Sequence, residues 1–227
     1  NFLQANIQFY LDGDIHNIPN STYQNHATLD LGYEMMMRYN VPNKVNSYVV
    51  TSPAGNCGYN LPSGDAVALA TSCISRNDHT WAHELGHFFK LPHPFYGWES
   101  ITYMAGGVAP LTNIISEYTS FKEIFYSRQD TTIYDTIYVE NVQRNNCTIA
   151  GDGFCDTGPD YISSRWNCDG SGMSPGFMID PDQTQFRSDG SLYMSFSNDA
   201  CQGRFTAQQI ATMRADIFEN RPQYIHH

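Results

Sequence analysis

The chain has 227 residues, of which 41% are hydrophobic, 14% aromatic and only 15% charged, a composition that supports a buried core and excludes a disordered tail. Its formal net charge is −11, with 12 Lys and Arg scattered among 23 Asp and Glu, so a phosphate backbone is repelled and nucleic acid is excluded as a partner. The longest uninterrupted apolar run, 66–70, is far short of the roughly 20 residues that cross a bilayer, and no basic-then-apolar leader opens the chain; a soluble, mature, monomeric protein away from membranes is expected.

No internal repeat appears, so periodicity sets the elements. Residues 5–11 read as a strand, and 22–39 as a helix with Leu29, Leu31, Met35 and Met36 inward, closed by Asn40 and Pro42. Short apolar or β-branched runs at 47–51 and 66–71, bounded by Gly, Pro and Asn, suit strands of one sheet. Asn77 or Asp78 then caps a helix through Trp81, Leu85 and Phe88. Beyond Pro94 regularity fades, apart from an alternating stretch at 132–139 and a closing helix. That helix opens on Thr206-Ala-Gln-Gln209, a capping box, and carries Ile210, Met213 and Ile217 as its stripe. A loop-rich half of this length inside a compact protein is usually functional. The expected organisation is one domain in two parts: an α/β subdomain over 1–93 and an irregular subdomain over 94–227.

The helix that ends the first part carries His83-Glu84-Leu85-Gly86-His87, and His93 follows six residues later. At 3.6 residues per turn His83 and His87 share one face, the spacing at which two imidazoles bind one ion, while Glu84 points aside as a general base must. Pro92 stops the helix, because its ring would clash with the carbonyl of Phe88, and this lets His93 fold back to the same ion. A random H-E-x-x-H in such a chain is expected on the order of 10⁻² times. The bland alternative is a buried helix whose histidines are satisfied by carbonyls. Three neutral nitrogen ligands with an open fourth position favour one zinc ion over magnesium or calcium.

His83-Glu-x-x-His87-x-x-x-x-x-His93 resembles the long zinc-binding consensus of the metzincin metallopeptidases. Asn146-Cys-Thr-Ile-Ala-Gly-Asp-Gly-Phe-Cys-Asp-Thr157, Tyr193-Met-Ser-Phe-Ser197, Cys201 and Phe205-Thr-x-x-Gln209 are similar to the pappalysin (M43) family, especially its bacterial secreted members. The match runs over about 45–215. It implies an α+β zincin: a mixed twisted sheet with a backing helix and the zinc-binding helix above, and an irregular lower lobe with the C-terminal helix below. It also implies that Met194 is the Met of the Met-turn, an apolar floor beneath the zinc ligands. Three positions depart from the pattern. Lys90 stands where the family has a Gly, so a positive φ there would cost about 1 kcal/mol unless the turn changes. Phe196 replaces a Tyr whose hydroxyl is thought to steady the tetrahedral intermediate, and losing such a donor costs roughly 10²-fold in rate if nothing replaces it. Leu192 replaces an Asn.

Six cysteines in even number, with no C-x-x-C pair, and with Cys147, Cys155, Cys168 and Cys201 in polar Gly-rich loops, point to disulfides and an oxidising, extracellular compartment rather than to buried thiols. Spacing does not fix their pairing; the resemblance implies Cys168 with Cys201 and Cys147 with Cys155, leaving Cys57 with Cys73. It further implies structural calcium at the loop of Asp152, Asp156, Thr157 and Asp160, where hard oxygen ligands sit in a flexible turn; acidic residues capping their own backbone are the competing explanation. Asn20-Ser-Thr22 and Asn146-Cys-Thr148 fit glycosylation acceptors, and Asp199 lies where the resemblance places the wall of a substrate pocket. His226 and His227 are set aside as terminal residues. The expected activity is secreted zinc-dependent endopeptidase chemistry on peptides or proteins, with water activated by zinc and Glu84 as base, the peptide lying extended beside the sheet edge near 58–66. The alternative is a zinc-holding, weakly active or inactive binding module, motivated by Lys90, Phe196 and Leu192.

Overall fold

The computed structural model describes residues 2–118 and 132–225, so His226 and His227 lie outside it. The chain divides into two compact units, Asn1–Lys90 with Ile210–His227, and Leu91–Gln209. The fold class is α+β, as the resemblance implies.

In the first unit, β1 (Asn46–Val50), β2 (Gly58–Leu61) and β3 (Ala66–Ala70) form a mixed sheet in the order β1-β3-β2. β1 runs parallel to β3 and β2 antiparallel to it. Every residue of β3 is buried, which explains its unbroken Ala-Val-Ala-Leu-Ala run: a central strand covered on both faces has no solvent side to alternate with. β2 is an edge strand too short to stand out in the sequence.

The helix expected over 22–39 is two helices, α1 (Ser21–Gln24) and α2 (Leu29–Tyr39). Each has its own cap: the Asn20 side chain accepts from the Thr22 and Tyr23 N–H groups, and Thr28 Oγ1 accepts from the Leu31 N–H. The break is used for packing. His26, fully buried in it, lies 2.7 Å from the Tyr23 carbonyl through Nδ1 and 2.7 Å from the Tyr59 hydroxyl through Nε2. Since a carbonyl cannot donate, Nδ1 carries the proton and Nε2 accepts from Tyr59. Tyr23, Met35, Met36, Tyr48, Val50, Tyr59 and Leu61 close the core around them.

No strand forms over 5–11. Phe2–Ala5 is a 3-10 turn and Asn6 sits at φ 54°, which breaks the extension. Phe9 instead packs its ring against Phe2, Phe89 and Trp81.

In the second unit β4 (Thr112–Tyr118) and β5 (Thr132–Tyr138) pair antiparallel, as do β6 (Met178–Ile179) and β7 (Gln185–Phe186). Single bridges carry the remaining ladder contacts. Phe95, Trp98, Val139, Tyr161, Met178 and Phe186 form the core. The bridges are Cys57–Cys73 in the first unit, and Cys147–Cys155 and Cys168–Cys201 in the second, with no free cysteine.

The last helix, α4 (Ala207–Asn220), has both halves of its capping box: Thr206 Oγ1 accepts from the Gln209 N–H, and Gln209 Oε1 accepts from the Thr206 N–H. No described helix is long and apolar enough to cross a membrane.

Candidate metal centre

Helix α3 spans Thr80–Phe88. Its first turn is held by Asp78, whose carboxylate accepts from the Thr80 N–H at 2.8 Å, while the N-cap position itself belongs to His79. The helix stops where Pro92 requires. Lys90 takes φ 71°, and its N–H returns to the His87 carbonyl at 2.9 Å. The left-handed turn that a Gly would adopt freely is therefore kept here by a Lys. The C-terminal end of α3 is also tied down from outside. Arg221 donates to the Phe88 carbonyl, stacks its guanidinium 4.1 Å over the Phe88 ring, and pairs with Asp65 and with the buried Asp216.

His83 and His87, one turn apart, bring their Nε2 atoms to 3.1 Å. Nitrogens on one tetrahedral zinc lie about 3.3 Å apart, given Zn–N bonds of about 2.0–2.1 Å. A neutral N–H···N bond would account for this pair alone. The stretch 83–93 goes further: one ligand nitrogen from each of His83, His87 and His93 lies within 4.8 Å of the others, and among the described residues no other group of His, Cys, Asp or Glu does this. Three convergent imidazole nitrogens fit a divalent ion that prefers nitrogen ligands.

Glu84 is buried off the histidine face, against β2. A Cβ built on Gly58 would stand only 3.0 Å from its Cγ and 3.1 Å from its Oε1, so the bare backbone of β2 makes room for this carboxylate. Burial pushes Glu84 up to about 8, partly offset by a bond from the Asn60 backbone N–H.

His93 stacks on Phe95 with ring centroids 4.4 Å apart and planes at 12°, and meets the Phe196 ring edge-on at 4.8 Å. Its Nδ1 lies 3.7 Å from Glu99 Oε1. Glu99 has no signal in the sequence, because its relation to His93 depends on the turn between them.

Met194 is fully buried in a tight turn closed by the Ser195 N–H on the Leu192 carbonyl. Leu192 is a core residue, and the loop is held by the Tyr193 N–H on the Arg204 carbonyl and the Arg204 N–H on the Ser191 carbonyl. Gln202 adds two bonds, to the Ser195 and Ser197 carbonyls.

The acidic loop splits in two. Asp160 is bound by the Ser188 hydroxyl at 2.6 Å, the Ile162 N–H at 2.9 Å and the Ser195 hydroxyl at 3.4 Å; it is a buried anchor of the 188–195 loop. Asp152 accepts from the Phe154 N–H and the Thr157 hydroxyl, and Asp156 from the Gln208 N–H. Yet Asp152 Oδ2, Asp156 Oδ1, Asn141 Oδ1 and both oxygens of Glu140 are buried without a hydrogen-bond partner. Burial, with the neighbouring carboxylate of Asp152, pushes Glu140 up to about 8, and burial pushes Asp152 up to about 7. Glu140 lies outside the acidic motif at 146–157, and nothing in the residue order around it marks it as a partner of Asp152.

Asn20 and Asn146, the two glycosylation candidates, spend their side chains on the protein: Asn20 caps α1, and Asn146 donates to the Val139 carbonyl. Asp199 faces Arg165 at 3.5 Å.

No family model matches the chain, and no curated protein matches it in sequence. Among solved structures the chain is similar to mature mirolysin of Tannerella forsythia in complex with a cleaved peptide, at 17% identity, 80% coverage of this chain and a TM-score of 0.46. It is likewise similar to mirolysin in complex with compound 9, at 17% identity, 80% coverage and a TM-score of 0.45. The aligned part spans 56% of the mirolysin chain in both.

Proposed function

We propose that this chain is a secreted zinc endopeptidase of metzincin type, with the pappalysins as the family its motifs resemble. The observation that carries the reading is the convergence of one nitrogen each from His83, His87 and His93 within 4.8 Å, on the sequence spacing that zinc peptidases use. A divalent cation held by these three supplies Lewis-acid charge that acidifies water and polarises a carbonyl. Glu84 accepts the proton of the attacking water and delivers it to the leaving amine. The Asn60 N–H and the open face of Gly58 keep its carboxylate against β2 while it does so. β2 is an edge of its sheet, and an extended peptide adds to that edge as a further strand, with main-chain bonds for affinity. Met194 serves as the apolar floor of the centre. Three disulfides among six cysteines fit an extracellular setting.

The neighbouring carboxylates of Glu140 and Asp152 keep oxygens that are buried without a hydrogen-bond partner, and each buried acceptor left alone costs about 1–3 kcal/mol. We propose a structural calcium on this pair, its shell completed from carbonyls and water. Asp160, with its bonds already spent on Ser188, Ser195 and Ile162, is left out of that ligand set.

The second reading, a zinc-holding module of low activity, draws on Phe196, whose ring has no hydroxyl to offer an oxyanion. Cleavage of casein or a quenched peptide separates the two. The peptidase reading expects cleavage stopped by a zinc chelator and restored by zinc, with Glu84→Gln lowering kcat by at least 10³-fold at unchanged zinc content. Stoichiometric zinc with no cleavage of any peptide supports the module instead.

A further inference from the structure

Of the three histidines, His93 differs from the other two in what holds it. His83 and His87 are fixed by their helix, whereas His93 stands past Pro92 on irregular backbone, where a side chain has rotamer freedom to lose. Its ring is nonetheless confined. Phe95 lies flat against it at 4.4 Å, Phe196 meets it edge-on at 4.8 Å, and the two phenyl rings touch each other at 4.6 Å. Phe95 is itself 1% exposed, so the platform is part of the core. The remaining freedom, a half-turn about Cβ–Cγ that exchanges Nδ1 with Cδ2 and Nε2 with Cε1, is opposed by Glu99. Its Oε1 faces Nδ1 at 3.7 Å, and its Oε2 is held by the Gly97 N–H at 2.7 Å.

We infer that Glu99 is a positioning residue for His93: held by the Gly97 N–H, its carboxylate keeps the proton on Nδ1 and turns Nε2 toward the metal, while Phe95 and Phe196 fix the ring plane. A carboxylate behind a metal-bound imidazole sets the tautomer and makes the other nitrogen a better ligand. This assigns Phe196 a use. Where the resembled family has a hydroxyl, this chain has a ring edge packed on the third ligand. The inference rests on the zinc reading above and concerns how the third ligand is prepared.

The test measures zinc dissociation constants by competition with a chromophoric chelator, together with the visible spectrum of the cobalt(II)-substituted protein and the melting temperature of the metal-free protein. Glu99→Ala is expected to weaken zinc by roughly 10–100-fold and to change the cobalt bands, with the metal-free melting temperature unchanged. Glu99→Gln, which keeps one of the two acceptor oxygens in use, is expected to bind zinc measurably tighter than the oxygen-free variants. Glu99→Met, of similar length with no oxygen, stands in if the alanine variant does not fold. Wild-type affinity and spectrum in the oxygen-free variants overturn the inference, as do equal losses in the glutamine and oxygen-free variants alongside a lowered metal-free melting temperature. If the wild-type chain itself takes up no zinc, the reading under Proposed function falls first and takes the inference with it.

Discussion

Lys90 illustrates how one side chain can carry a cost that its neighbours tolerate. Its φ of 71° lies in the left-handed region, where a Cβ crowds the backbone, yet the turn is kept because Pro92 ends the helix and the His87 carbonyl needs the Lys90 N–H. Lys90→Gly should therefore raise stability by about 1 kcal/mol, read as a higher urea midpoint at unchanged m-value. Asp160 is a second case. Burial raises its carboxyl to about 6, against the opposing bonds from Ser188, Ile162 and Ser195. The folded chain then holds this proton more tightly than the unfolded chain does. Its contribution to stability is full below about pH 4 and is lost as pH rises through about 6. Asp160→Asn keeps acceptors for Ser188 and Ile162 and has no proton to lose, so its melting temperature should fall less than the wild type's between pH 4 and 7. An identical pH profile for the two proteins would contradict this account.

Among the elements, those with a strong local signature are the ones the sequence makes legible. The capping box at Thr206 and Gln209, the all-buried run of β3, and the stop of α3 before Pro92 are each written in a few adjacent residues. β2 and β4 are not, because a four-residue edge strand and a strand of an isolated antiparallel pair gain their identity from the partner across the ladder. The division of the expected helix at 22–39 follows from packing as well: His26 satisfies Tyr23 and Tyr59, groups distant from each other in sequence. The same packing makes Gly32 a sensitive position, since a Cβ there would lie 1.8 Å from the Tyr59 hydroxyl and 3.2 Å from His26 Nε2. Gly32→Ala gains helix propensity on α2 but must push this cluster apart. A net loss of about 1–3 kcal/mol is expected by chemical denaturation, and a gain would mean that α2 can slide without disturbing Tyr59.

For the molecule as a whole, buried acidic groups dominate an already acidic chain of net charge −11. Glu140 and Asp152 keep unpartnered oxygens inside the second unit, a feature that a bound calcium would turn from cost to gain. Adding calcium to chelator-treated protein at pH 8 should raise the melting temperature by several degrees, and Glu140→Gln with Asp152→Asn should abolish the rise. The effect should shrink toward pH 5, because ligand carboxylates must lose their protons to bind the ion. A melting temperature indifferent to calcium at pH 8 would leave these oxygens as a buried acid pair and nothing more.

The spacing of His83, Glu84 and His87 and the proline that ends their helix are short-range facts, and a helix of fixed pitch turns them into geometry without help from the rest of the chain; His93 and the even set of cysteines are legible as positions, while their placement and pairing are not. What the residue order could not express is every relation that bridges distant segments: Gly58 opening space for Glu84, Arg221 fastening the end of α3, Phe196 set against His93, and Glu140 beside Asp152. Glu99 is close to His93 in the chain, but the turn that aims it has no periodicity to read. The physical reason is common to all of these. Helical pitch and proline sterics act over a few bonds, whereas close approach, desolvation and ring packing exist only once segments far apart in the chain have excluded the water between them.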